Sequence, residues 1–392
     1  MQKSPSYFDK IFTGSDARGI IAAIASISVV GIGIGISFPL LSLLMEQRGI
    51  AASIIGANTA VAGIAVMAVV PFVTPIARAL GVVNTMLAAI IISLLSLSGF
   101  YLTENIPAWF VLRFIFSAAI TLLFILSEFW INSAANDKNR GLILGLYGTV
   151  LSLGFAFGPG ILSIVGTHGI LPFAVGVSII VSAILPILIG RNNEPEMERS
   201  GKTPAVLPYV FMVPLATMAG FIFGAAEQIE LALLPVFAIR SGYEEQTAAL
   251  LLTIVGLGNV ALQIPLGIWS DRAKDRRHVL LACASVGVIG AILIPLTAQV
   301  GWILAMVLFI YGGIISGMYT VGLAHLGSRL KGTDLAQANA AFVLCYGLGM
   351  TIGPQAAGIA MDIMGPSGFG VSLFIFFALY LVLYLIRVQR AN

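Results

Sequence analysis

Twelve stretches of this chain are apolar for about 20 residues or more, enough to cross a bilayer as helix, and that recurrence limits the fold more than any motif does. They lie near 19–45, 53–76, 83–102, 107–134, 141–165, 169–190, 207–239, 247–269, 278–298, 301–326, 336–360 and 369–387. Only 9% of the residues are charged and 59% are hydrophobic, whereas soluble domains carry about 25% charged residues. A soluble fold of this length has no interior large enough for so much apolar side chain. The expected fold class is therefore an all-α membrane protein with twelve transmembrane helices. The first apolar run is too long for a signal peptide and reads as a retained first helix.

The longest polar stretch, RNNEPEMERSGKTP from Arg191 to Pro204, sits at the middle of the chain. It divides the sequence into a six-helix half at 1–190, a linker at 191–206 and a second six-helix half at 207–392. With the N-terminus inside, 17 of the 20 lysines and arginines fall in cytoplasmic segments; Arg48 and Arg240 fall outside, and Arg113 lies within a span. Such a bias sets both termini in the cytoplasm. The expected location is a bacterial inner membrane.

The halves repeat one another. PFVTPIAR from Pro71 to Arg78 follows the second span, and PLGIWSDR from Pro265 to Arg272 follows the eighth, 194 residues on. Gly154-x-x-x-Gly158-Pro159 in span five returns as Gly349-x-x-x-Gly353-Pro354 in span eleven, 195 residues on. A six-span unit repeated once gives two parallel repeats about an axis along the membrane normal, with the substrate site between them near the midplane.

The segment from Gly267 through Asp271 and Arg272 to Arg276 and Arg277 resembles the conserved loop G-x-x-x-D-R-x-x-x-R-R of the major facilitator superfamily. The counterpart in the first half keeps Arg78 but has Ala77 in place of the acid. Arg113 in span four resembles that family's membrane arginine. Gly145, Gly154, Gly158 and Pro159 in span five resemble a motif common in its proton-linked antiporters, which continues with two glycines where this chain has Leu162 and Ser163. The resemblance implies the major facilitator fold and alternating access. It also implies a cytoplasmic gate in which Asp271 meets a helix end of the other half, near Lys138 to Gly141, with Gly267, Arg272, Arg276 and Arg78 around it.

Ionisable groups inside a membrane are costly and mark function by default. Glu227 and Glu230 in span seven are spaced i, i+3 and share one helix face, with Glu227 the deeper. Burial and mutual repulsion let a carboxylate hold a proton near neutral pH, as a proton-coupled carrier requires. The alternative is that this end of the span is wet and both acids are simply solvated. Arg113 reads either as an attractor of anionic substrate and neighbour to a carboxylate, or as a structural arginine. Glu128 reads as a further proton acceptor or as an interfacial acid beside a belt tryptophan, Trp130. Gln228, Tyr147, Asn259, Gln263, Tyr311 and Tyr319 are candidate cavity-lining residues. The glycine ladders at Gly31, Gly33 and Gly35 and at Gly312, Gly313 and Gly317 suit close helix packing.

Two cysteines and three scattered histidines offer no metal cluster or disulfide framework. No GxxxxGK[ST] loop is present, so the chain has no ATP site, and no cofactor is expected. It is not expected to be an enzyme. The expected function is secondary active transport, proton-coupled export of a small hydrophobic or amphipathic compound; a proton symporter importing a small solute such as a sugar or organic acid is the alternative. The expected partners are a small-molecule substrate and the lipid bilayer, with no nucleic acid, and the protein is expected to be a monomer.

Overall fold

Each apolar stretch becomes a helix in the computed structural model, which describes residues 16–136, 140–196 and 207–389. The helices are α1 (Ala17–Gln47), α2 (Ala52–Leu80), α3 (Val82–Leu102), α4 (Ile106–Ala134), α5 (Arg140–Val165), α6 (Leu171–Ile189), α7 (Pro214–Arg240), α8 (Glu245–Arg272), α9 (Arg276–Leu296), α10 (Gly301–Arg329), α11 (Gly332–Met364) and α12 (Ser367–Gln389). All twelve are long and apolar enough to cross a membrane. The helix α6 breaks at Ala183 and α10 at Ser316.

The boundaries differ from the hydropathy reading in two instructive ways. The seventh span starts at Pro214 instead of 207, with a short helix, Leu207–Met212, set off before it. Val213 stands before proline, leaves helical geometry (φ −125°, ψ 56°) and breaks the run. Helices α2 and α8 also run past the apolar residues to Leu80 and Arg272, so Arg78, Asp271 and Arg272 lie on last helical turns instead of in loops.

Two six-helix bundles form. In the first, α1 packs on α4, α5 and α6, and α4 on α2 and α3; in the second, α7 packs on α10, α11 and α12, α8 on α10, and α9 on α12. The repeated glycine motif explains the tightest of these contacts. A Cβ on Gly154 would lie 2.8 Å from the Cα of Gly31, and one on Gly158 2.6 Å from the Cα of Gly35, so α5 and α1 touch backbone to backbone. In the second half Gly349 sits on Phe221 and Gly353 on Ala225, with a Cβ on Gly353 falling 2.6 Å from the Ala225 Cα. The motif thus welds α5 to α1 and, repeat for repeat, α11 to α7. Only a residue without Cβ allows such an approach.

The bundles meet along α2 with α11, α5 with α8, and α1 with α7. A twofold relation between halves exchanges the first two pairs and maps the third onto itself. The ends of the described chain, Asp16 and Gln389, lie with the 191–196 segment and the 81 and 273–275 turns at one end of the molecule, here the terminal face. Close backbone contact between bundles occurs in the opposite half: Gly56 lies against Pro354, Gly63 against Thr351 and Gly256 against Ala156. Nearer the terminal face the described glycines of α5 and α8 make no such contact. A Cβ on Gly145 or Gly148 of α5, or Gly267 of α8, would meet nothing within 4 Å.

Candidate functional site

Helix α7 is the most enclosed of the twelve, with 89% of its most apolar window buried against 67% for its counterpart α1. Its polar side chains therefore face protein, and two of them, Glu227 and Glu230, open into a pocket at the junction of the bundles. The wall is Phe155 from α5, Phe223, Glu227, Glu230 and Leu231 from α7, Leu252, Val255, Gly256 and Asn259 from α8, and Gly312 and Ile315 from α10. One helix of the first bundle thus closes a pocket that is otherwise built by the second.

The two carboxylates differ. Glu227 is half-buried, and its Oε2 accepts a short hydrogen bond from the Tyr346 hydroxyl of α11. Tyr346 belongs to an aromatic group in which Phe223 stacks on it at 6.2 Å and Tyr319 of α10 meets Phe223 at 5.6 Å and Tyr346 at 5.6 Å. Glu230 is 5% exposed. The Tyr311 hydroxyl lies beside it, yet neither Glu230 Oε1 nor Tyr311 Oη completes a hydrogen bond. A buried acceptor without a completed bond is expensive, and the residue that carries this one stands in the pocket wall.

Of the residues expected near the site, Glu227, Glu230 and Asn259 line the pocket, and Tyr311 and Tyr319 stand just behind its wall. Gln263 lies one helical turn beyond Asn259 on α8, towards the terminal face. Gln228 is buried on another face of α7, with its Oε1 unpartnered. Tyr147 of α5 pairs with Ser127 Oγ of α4 at 2.8 Å. The exposed Glu128 acts electrostatically on Tyr147 and, across the halves, on Tyr319. Its neighbour Trp130 is no belt residue: it is fully buried, with Gly19 and Gly190 packed around its indole.

Arg113 does not line the pocket. It is 1% exposed inside the first bundle, where Nε donates to Asn58 Oδ1 at 3.1 Å and the guanidinium lies 4.3 Å from the Phe38 ring centre. The four ionisable residues expected to work together, Arg113, Glu128, Glu227 and Glu230, therefore do not form one cluster.

At the terminal face, Asp271 accepts from Arg276 Nη2 at 3.0 Å, and Arg276 Nη1 donates to the Ala324 carbonyl of α10 at 3.0 Å. Both contacts stay within the second bundle. Of the expected partner segment, Lys138 to Gly141, Lys138 and Asn139 lie outside the described residues, and Arg140 opens α5. Arg78 and Arg272 close α2 and α8 as last-turn cations. Asp275 caps α9 through the Arg277 backbone N–H at 2.9 Å and Nε at 2.7 Å, and this pairing holds its carboxyl down to about 2.

The opposite face carries a latch that hydropathy and motifs did not single out. Arg240 at the end of α7 donates Nε and Nη2 to Glu46 at the end of α1, at 2.7 and 2.9 Å. Asp362 at the end of α11 accepts from the Ala52 and Ser53 backbone N–H groups, at 2.8 and 2.9 Å, and so caps α2 of the other bundle. Glu245 at the start of α8 takes a short bond from Thr167, a bond from Gln47 Nε2 at 2.5 Å, and lies 3.7 Å from His168. Glu46 and Arg240 stand 194 residues apart, and Thr167 and Asp362 195 apart. These are the offsets of the repeat, and the sequence held that signal.

A family model of the Major Facilitator Superfamily matches residues 23–250 and 241–392. An uncharacterised MFS-type transporter of Bacillus subtilis, YfkF, is 28% identical over 86% of this chain and 87% of its own length. YcaD of Escherichia coli, likewise an uncharacterised MFS-type transporter, is 24% identical over 72% of each. Among solved structures, the nucleoside transporter NupG superposes with a TM-score of 0.74 at 16% identity, over 94% of this chain and 98% of that one. A bacterial homologue of the human lysosomal transporter Spinster, in an inward-facing and unoccupied conformation, gives 0.67 at 13% identity, over 98% and 96%.

Proposed function

The chain belongs to the Major Facilitator Superfamily and is a multi-pass membrane transporter, not an enzyme, and on that footing we propose that it exports a small hydrophobic or amphipathic compound in exchange for protons, by alternating access. The observation that carries the reading is the placement of Glu227 and Glu230 on one face of α7, in a largely apolar pocket where the two bundles meet. Carriers of this architecture bind at the junction of their halves, and a membrane carboxylate there is the group best suited to take up and release a proton. The latched opposite face, and the open space beside Gly145, Gly148 and Gly267 towards the terminal face, suit a state open to the cytoplasm. The test is transport in proteoliposomes under an imposed pH gradient. A Glu227→Gln, Glu230→Gln double variant is expected to lose gradient-driven transport; undiminished transport would remove the acid pair from the mechanism.

This reading places the protein in a bacterial cytoplasmic membrane with the terminal face inside, supported by the 17 basic residues assigned to that side. Both native cysteines are buried, which leaves single-cysteine labelling a clean background. In intact cells an impermeant maleimide is expected to label Gln299→Cys and to spare Asn193→Cys. Labelling of Asn193→Cys alone would invert the orientation and, with it, the direction of transport.

A further inference from the structure

The charge balance of the pocket narrows what it can hold. Among the described residues its wall offers two carboxylates and one amide, Asn259, and no lysine, arginine or histidine; the other eight positions are apolar or glycine. The membrane arginine is not among the wall residues: Arg113 lies inside the first bundle, with Nε on Asn58 Oδ1 and its guanidinium over Phe38. An anionic substrate would meet two acids and no base. A neutral one would leave the acids without compensation.

The two acids are not equivalent as ligand contacts. Glu227 Oε2 is already taken by the Tyr346 hydroxyl. Glu230 lines the pocket with no cation beside it in the wall, and its enclosed Oε1 stands next to the Tyr311 hydroxyl without completing a bond to it. The wall supplies no cation to this carboxylate, and a ligand that brings an N–H carrying positive charge would provide one. Charge-assisted bonds of this kind are the strong ones. Phe155, Leu252, Val255 and Ile315 give the rest of such a ligand an apolar bed. Phe223 adds an aromatic ring of the kind that attracts cations.

We infer that the substrate class is a small amphipathic amine bearing one protonated nitrogen, with Glu230 as its salt-bridge partner. The inference rests on the proposed transport role of this pocket and deepens it. A quaternary ammonium brings charge but no N–H, so it fits the Glu230 carboxylate less well than a protonated primary amine.

The test is equilibrium binding to the purified full-length protein in detergent, with no gradient imposed. Four probes share one apolar body: 2-phenylethylammonium, its N,N,N-trimethyl analogue, neutral 2-phenylethanol and anionic 3-phenylpropionate. The primary ammonium is expected to bind wild type about tenfold or more tighter than the alcohol or the carboxylate, the scale of one charged hydrogen bond. The trimethyl analogue is expected to fall between. Glu230→Gln should erase the preference for charge. So should Asn259→Lys, which sets a cation in the opposite wall and serves if the first variant does not fold. Binding of the carboxylate or the alcohol as tightly as the ammonium, absence of ammonium binding, or an unchanged preference in Glu230→Gln would each overturn the assignment. Loss of pH-driven transport and loss of amine preference are separate readouts, so failure of proton coupling would leave this result standing, and the converse.

Discussion

Gly158→Leu is expected to leave little folded protein in the membrane. The position faces Gly35 across a contact in which even a Cβ would lie 2.6 Å from backbone atoms of the partner helix. Backbone cannot rotate aside as a side chain does. The whole α1–α5 interface would have to open to admit four carbons. Overpacking a well-filled interior costs about 1–3 kcal/mol, occasionally more, and a clash with backbone belongs at the upper end. Gly353→Leu should fail in the same way against Ala225 of α7. Gly145→Leu is the control, because a Cβ there meets nothing within 4 Å. Size-exclusion profiles of tagged protein should show the first two lost or aggregated and the third intact. Equal profiles for Gly158→Leu and Gly145→Leu would refute the weld. In this chain Gly154 and Gly158 thus have a packing duty of their own, whatever the carrier couples to.

Arg240→Glu is expected to open the latched face. In wild type the guanidinium grips Glu46 with two bonds, and the pair is mostly enclosed, with side-chain exposures of 23% and 14%. Reversal sets the new carboxylate against Glu46, with Asp362 Oδ1 close to where Arg240 Nη1 now stands, 3.9 Å away. Breaking a fully buried ion pair costs about 3–5 kcal/mol; for a partly exposed one about 2 kcal/mol is a fair allowance. That moves a two-state population about 30-fold. Spin labels at Glu104→Cys and Gln299→Cys, one on each bundle at this face, should report a longer distance population in the variant. Adding Glu46→Arg to Arg240→Glu restores the attraction with its polarity reversed and should return the short population. A short distance in the single variant, or no recovery in the swap, would reduce the pair to an ordinary surface contact.

Fold and site were legible in the sequence to different depths. Twelve spans, two halves and the correspondence of Gly154 with Gly349 follow from apolar length and an internal offset, because both are properties of the chain read along itself. Glu227 and Glu230 were visible because carboxylates in a membrane span are rare. Their inequality was not, since it depends on Tyr346 of α11 and Tyr311 of α10, brought beside them only by folding. Arg113 shows the reverse failure. Its rarity drew attention, but its partner Asn58 on α2 draws it into the first bundle and out of the pocket. Asp271 pairs with Arg276, five residues along, and a sequence pattern does not say which face of a two-sided carrier is the one held shut.

The latch has a consequence for descent. Two points exchanged by a twofold axis can touch only if both lie close to it, so Glu46 and Arg240, one repeat offset apart, mark where that axis leaves the molecule. Identical halves would place like charge against like charge there, glutamate on glutamate or arginine on arginine. A dimer of one gene product could not have sealed this face in this way. The bridge became possible only once a duplicated gene had drifted into two unlike copies, and it records that divergence at the one spot where strict symmetry forbids attraction.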